Sequence, residues 1–266
     1  LSPTSLITLE TITDYNEAKD VTVGPNVAEL DIDQNQATVN VVLTNNYPNP
    51  ISGIKVLGKI PFKGNTHILN PNNLNSDFSV TMTNDGIRIP EALQDKIEIY
   101  YSELETPTND LKDEANNWTK KEDVKDFSKI KSFLIDLKEN QILIGEKYSF
   151  SYDVVLPQER AYNLVTYSTH AAYYELNTDG GNLQLATEPN KVGISFVRKF
   201  DFNLTKYKKG TNLLVPNATY NLVELDSNDE EVSSRVARTN NNGTLEIRDV
   251  YVGRTYLLKE LYSPEN

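Results

Sequence analysis

The chain has 266 residues, with 26 Lys and Arg against 38 Asp and Glu, a formal charge of −12, two His and no Cys. That balance excludes disulfides, thiol chemistry and Cys-ligated zinc, and no run of basic residues offers a nucleic-acid footprint. The hydrophobic fraction of 38% suits thin β-domain cores with one wet face, and no apolar run reaches the roughly 18 residues of a membrane span.

Residues 1–26 mix apolar and acidic positions without a period, and are expected to be a lead-in with room for one strand. The chain starts at Leu1 without a signal peptide, so it reads as a segment of a longer precursor. From Val27 the pattern turns strand-like. Ala37-Thr38-Val39-Asn40-Val41-Val42-Leu43 is rich in β-branched residues and closes on Asn45-Asn46. Further strands are expected over 54–60, 78–82, 97–101, 133–137, 148–156 and 171–176, with another starting at Val192. The polar stretch from about Thr106 to Asp126 predicts a loop or one helix. Tyr148-Ser149-Phe150-Ser151-Tyr152-Asp153-Val154 alternates strictly, the signature of a half-buried antiparallel strand.

A second unit begins near Arg198. Phe200-Asp201-Phe202-Asn203-Leu204-Thr205-Lys206 places Phe202, Leu204 and Lys206 on one face. Strands over 218–225, 232–238, 245–250 and 255–261 follow. They are separated by Asp226-Ser227-Asn228-Asp229 and by Asn240-Asn241-Asn242-Gly243, both strong turn signals. Residues 199–266 carry 9 basic and 10 acidic residues, leaving 17 against 28 upstream. The acidity therefore belongs to the first part and serves solubility.

This second unit resembles the CnaB (SpaA-type, prealbumin-like) domain of Gram-positive adhesins and pilins. The carriers are Leu204-Thr205-Lys206, the segment Leu214-Val215-Pro216-Asn217-Ala218-Thr219-Tyr220-Asn221-Leu222, Thr239 with Asn242-Gly243, and Val252-Gly253-Arg254-Thr255-Tyr256-Leu257-Leu258-Lys259-Glu260 before Ser263-Pro264. More loosely, the first unit is similar to the Ig-like repeats of the same surface proteins. Its carriers are Val41-Val42-Leu43-Thr44-Asn45, Ile60-Pro61, Leu143-Ile144-Gly145, Leu156-Pro157 and Glu188-Pro189-Asn190-Lys191-Val192.

These resemblances imply an all-β chain of two tandem β-sandwich (Ig-like) domains: a lead-in over 1–26, an adhesin or stalk domain over 27–198, and a CnaB-like domain over 199–266 without its last strand. They imply that Lys206 joins an Asn or Asp of that last strand through an amide, with Glu260 as proton shuttle. Such chemistry needs a neutral amine and a protonated carboxyl, both favoured by burial. Asn266 follows Glu260 too closely to be the acceptor, so the acceptor is expected outside this sequence. The early strands of the first unit around 39–43 carry no lysine, and no comparable set is found there. Lys206 and Glu260 have plainer readings too, as a surface strand lysine and a solvated edge carboxylate.

Other chemistry finds little support. Asp31-Ile32-Asp33-Gln34-Asn35 starts like a calcium loop, but Gln36 stands where Gly is needed and no Glu follows at the twelfth position. Neither His67 nor His170 is accompanied by a nucleophile elbow. No metal and no cofactor are expected, and the chain is read as a non-enzyme. Trp118 is expected to be a buried anchor.

The function expected is an extracellular, cell-wall-anchored module, monomeric and flanked by neighbouring domains of the same surface protein. It is either a stalk that spaces an adhesive tip or itself the binder of a host extracellular-matrix protein or glycan. A binder requires an exposed groove in the first unit, with residues 101–131 as its rim. A glycan module requires exposed aromatics on one sheet face, for which Tyr100, Tyr101, Tyr173 and Tyr174 are the candidates.

Overall fold

A computed structural model describes residues 7–14, 27–46, 50–51, 53–178 and 180–264. Most of the expected lead-in, and Asn266, lie outside them. The chain folds as two units, residues 1–196 and 197–266. The described residues form β-strands with only short 3-10 turns besides, and the stretch between 106 and 126, expected as a loop or one helix, is a loop that carries two three-residue 3-10 turns and a two-residue strand. Among the described residues no helix is long and apolar enough to cross a membrane.

In the first unit, β1 (Ile7–Asp14), β3 (Gln36–Asn45), β9 (Lys147–Val155) and β5 (Thr81–Met82) form one sheet in the order β1-β3-β9-β5. The other sheet runs β2 (Val27–Asp31), β12 (Val192–Val197), β10 (Val165–Thr178), β4 (Lys55–Lys59), β8 (Ser132–Asp136), β6 (Glu98–Ser102) and β7 (Thr119–Lys120). The strand β11 (Gly181–Thr187) pairs with the far half of β10.

The two sheets face each other across one core. Val39, Val41 and Leu43 of β3 and Phe150, Tyr152 and Val154 of β9 meet Val56, Phe133, Ile135, Ala172 and Ile194 from the opposite sheet. Alternate burial along β9 is what its sequence period dictates. Of the expected strand over 78–82 only Thr81–Met82 joins a ladder; Phe78 and Val80 are buried outside it.

Strand β4 is packed on both faces, with Leu57 and Lys59 as buried as Val56 and Gly58. Gly58 is required by packing, because a Cβ there would lie 2.2 Å from the Phe133 ring and 2.5 Å from His170.

The second unit is a small sandwich. β13 (Lys199–Thr205) pairs with β16 (Thr244–Tyr251), and β14 (Thr219–Leu225) lies between β15 (Glu231–Arg238) and β17 (Thr255–Tyr262). Leu222, Leu245, Ile247 and Val250 form the buried core, with Phe202, Tyr220, Tyr256 and Leu258 half-buried against it. The expected turns are present: Gly243 adopts positive φ, and Asp229 closes the acidic hairpin with φ 63°. Thr239 is buried, and its hydroxyl accepts from the Ala218 amide and donates to the Val215 carbonyl, each at 2.8 Å.

Candidate functional site

The alternation of β17 turns Tyr256 and Leu258 inward, and Glu260 follows them on the same face. The β14–β17 register sets Tyr220 opposite Glu260. Lys206 comes from the other sheet, one residue beyond β13, where its amide donates to the Gly243 carbonyl at 2.9 Å. Its ammonium donates to Glu260 Oε2. The Tyr220 hydroxyl donates to the same oxygen at 2.8 Å, and the Lys206 Nζ lies 5.8 Å from the Tyr220 ring centre. A lysine, a carboxylate and a phenol from three strands thus converge at one edge of the sandwich.

The electrostatics of this site differ from what amide formation requires. The hydrogen bond to Glu260 raises the Lys206 pKa, and the bonds from Lys206 and then Tyr220 lower that of Glu260. Both directions favour the charged pair. The physical reason is exposure: the side chains remain 22% and 32% accessible, so water still supports both charges. Beside them opens a groove of about 350 Å³ lined by Leu204, Tyr207, Tyr220, Leu245 and Leu258. Leu204 is 42% exposed although it lies beside core residues, and among the described residues β13 pairs on one side only. The groove is apolar, open, and bordered by a strand edge that is unpaired among the described residues.

In the first unit, two of the four candidate tyrosines are core. Tyr101 and Tyr174 are buried, and the Tyr101 hydroxyl accepts from the Ile87 amide at 2.9 Å. Tyr100 and Tyr173 are half-exposed. The Tyr100 hydroxyl donates to Glu98, whose pKa is pushed down to about 2 first by that bond and then by Lys120 and Lys138. The stretch proposed as a rim is an ordered loop pinned by buried Asn116. Its side chain accepts from the Thr108 amide at 2.9 Å and donates to the Asp110 carbonyl at 2.8 Å. Trp118 is half-buried rather than fully buried.

The histidines build no triad. His170 is wholly buried, its ring 5.5 Å from that of Phe133 and 6.2 Å from that of Tyr152, and burial lowers its pKa to about 3. The His67 Nδ1 lies 3.0 Å from Glu188, and the Thr169 hydroxyl donates to the same carboxylate rather than to the imidazole. Glu188 also accepts from the Ile68 and Leu69 amides at 3.0 and 2.8 Å. Near it, buried Lys59 donates to the Thr66 carbonyl at 3.1 Å, and burial lowers its pKa. The first unit thus holds a buried lysine near a largely buried carboxylate, a pair the sequence does not single out. Their 129-residue separation leaves no local signal. Both groups bind loop 66–69 and act as its staple.

No protein-family model matches the chain, and no curated protein matches it. The chain is similar to solved structures of Gram-positive pilins and adhesins. One is the major pilin subunit BcpA of Bacillus cereus, at 9% identity and TM-score 0.34, over 92% of this chain and 57% of that one. A second is the 35 kDa C-terminal fragment of the major pilin GBS80 of Streptococcus agalactiae, at 11% identity and TM-score 0.31, over 97% and 87%. A third is the collagen-binding subdomain of the Enterococcus faecalis surface protein ACE, at 10% identity and TM-score 0.32, over 64% and 93%. The chain spans less than two thirds of the length of the B. cereus pilin.

Proposed function

We propose that the chain is a non-enzymatic structural module of an extracellular surface protein, whose second unit is locked by an amide between Lys206 and an Asn or Asp on a strand supplied from outside this sequence. One observation carries the proposal: Lys206 and Glu260, from opposite sheets, meet beside an apolar groove bordered by an edge of β13 that is unpaired among the described residues. A strand along that edge would cover the groove and remove water from the pair. In a dry site the charged forms lose their solvation, so the proton moves from the Lys206 ammonium to Glu260. The neutral amine then attacks the side-chain carbonyl of the acceptor while Glu260 donates a proton to it. The new C–N bond forms as the acceptor's C–N or C–O bond breaks, and ammonia or water departs. The product fastens the sandwich in a chain that has no cysteine.

The test is the intact mass of the chain carried past Asn266 by one further strand of its parent. Amide formation lowers the mass by about 17 Da for an Asn acceptor or about 18 Da for Asp. The loss disappears in Glu260→Ala and in Lys206→Arg, the second of which keeps the ion pair but cannot form this bond. A full calculated mass in the extended chain would return Lys206 and Glu260 to the role of an ordinary cross-sheet ion pair.

A further inference from the structure

The β10–β11 ribbon outruns β4, and the outer face of the sheet opens where β4 ends. The register puts Lys55, Tyr173 and Ala186 in one cross-strand row and Glu175 with Gln184 in the next row of the same face. Gly53, Asn109 and Glu139 rim the space beyond, and together these groups enclose a groove of about 480 Å³. That volume falls within the roughly 300–1,000 Å³ of small-ligand sites.

The groove is built in three respects. Its floor is a half-buried aromatic ring, Tyr173, beside the small Ala186. Burial, and then Glu188, raise the Tyr173 pKa, so the phenol remains a proton donor at neutral pH. On one wall the Gln184 amide donates to Glu175 Oε1 at 3.1 Å, which fixes a carboxylate and an amide side by side. On the other, the Lys55 ammonium reaches the Asn109 carbonyl at 3.5 Å.

We propose that this groove is a binding site for a neutral pyranoside, the terminal residue of a glycan, seated on Tyr173 between Gln184–Glu175 and Lys55–Asn109. The chemistry selects the class. Planar carboxylate and amide groups accept from and donate to adjacent hydroxyls, and an aromatic face receives the C–H side of the ring. Two carboxylates against one ammonium disfavour a phosphate, sulfate or uronate. A polar rim disfavours a purely apolar ligand. The proposal is independent of the amide clamp, because it uses only first-unit residues.

Saturation-transfer NMR with the methyl glycosides of glucose, galactose and N-acetylglucosamine, each at millimolar concentration, tests it. At least one glycoside receives saturation, and its affinity falls about tenfold in Glu175→Ala and in Gln184→Ala, which remove hydrogen-bonding groups from exposed positions. Tyr173→Phe weakens binding less, since it keeps the ring and removes only the hydroxyl. Unchanged circular dichroism in the Glu175 and Gln184 variants shows that the loss is local. Transfer to none of the three glycosides would overturn the proposal, as would affinity that the two alanine variants leave unchanged. Occupation of the groove by a heparin tetrasaccharide or an extended peptide in preference to the glycosides would overturn the ligand class.

Discussion

His170 predicts an acid-sensitive first unit. Its ring is buried among Phe133 and Tyr152, and burial alone lowers its pKa to about 3. The unfolded chain returns it to about 6.5. Below pH 6.5 the unfolded state therefore binds a proton that the folded state refuses. Stability is full above that value and falls as pH drops, at about 1.4 kcal/mol per pH unit, until the folded pKa near 3 is reached. Between pH 7 and pH 5 the loss is about 2 kcal/mol, a large share of the roughly 5–15 kcal/mol that holds a domain folded. Carboxylates such as Asp153, whose pKa Arg88 lowers, lose their contribution only in more acidic solution, so they do not blur this window. Urea unfolding followed through Trp118, the only tryptophan and a first-unit residue, reads the effect directly. His170→Phe keeps an aromatic ring of similar size and removes the titration, so its urea midpoint should lose most of its dependence on pH between 7 and 5. A dependence identical to that of the parent chain would refute the reasoning, and so would a parent midpoint that does not move.

Two further substitutions probe packing and hydrogen bonding. Gly58→Ala forces a methyl into contact with Phe133 and His170 at 2.2 and 2.5 Å. It should destabilise the first unit by about 1–3 kcal/mol in urea, with part of the loss restored by Phe133→Leu, which makes room on the facing strand. Thr239→Val leaves the Ala218 amide and the Val215 carbonyl without their shared hydroxyl partner. Thermal unfolding of the second unit should register a loss of about 1–3 kcal/mol, and Thr239→Ser should recover most of it.

Much of this architecture is legible in the residues. The alternation of 148–154 becomes β9 with Phe150, Tyr152 and Val154 buried, and the Asn-Gly and acidic turns of the second unit fall where their chemistry places them. What escapes notice depends on residues far apart. β11 carries Gly181, Asn182 and Gln184 and has no apolar run; it is a strand because β10 extends past the end of its pairing with β12 and offers an edge there. Lys59 falls in an expected strand with no local sign of burial, yet loop 66–69 folds over it and is held there by Glu188. Tyr101 and Tyr174 each stand beside a tyrosine on the opposite face, so no local pattern tells which of the two is core. At the candidate site the residue types point to Lys206 and Glu260, and the fold brings them together. Their protonation follows from the openness of the groove, a property of neighbouring strands and not of either residue.

That openness gives the proposed clamp an order of events. As a charged pair in partial contact with water, Lys206 is a poor nucleophile, because its lone pair is occupied by a proton that Glu260 helps to hold. Side reactions of the lysine with other carbonyl groups are suppressed for the same reason. Covering the groove with a strand reverses the balance: two separated charges lose their solvation, and the neutral pair becomes the cheaper state. The same strand brings the acceptor carbonyl to the amine, so that activation and proximity arrive together. In the proposed clamp, docking of the strand would bury Leu204 and pair the edge of β13 that is unpaired among the described residues, and it would have to precede the chemistry. The proposed covalent bond would then make permanent a packing that hydrophobic burial has already selected, and the lock would close on a correctly assembled sandwich.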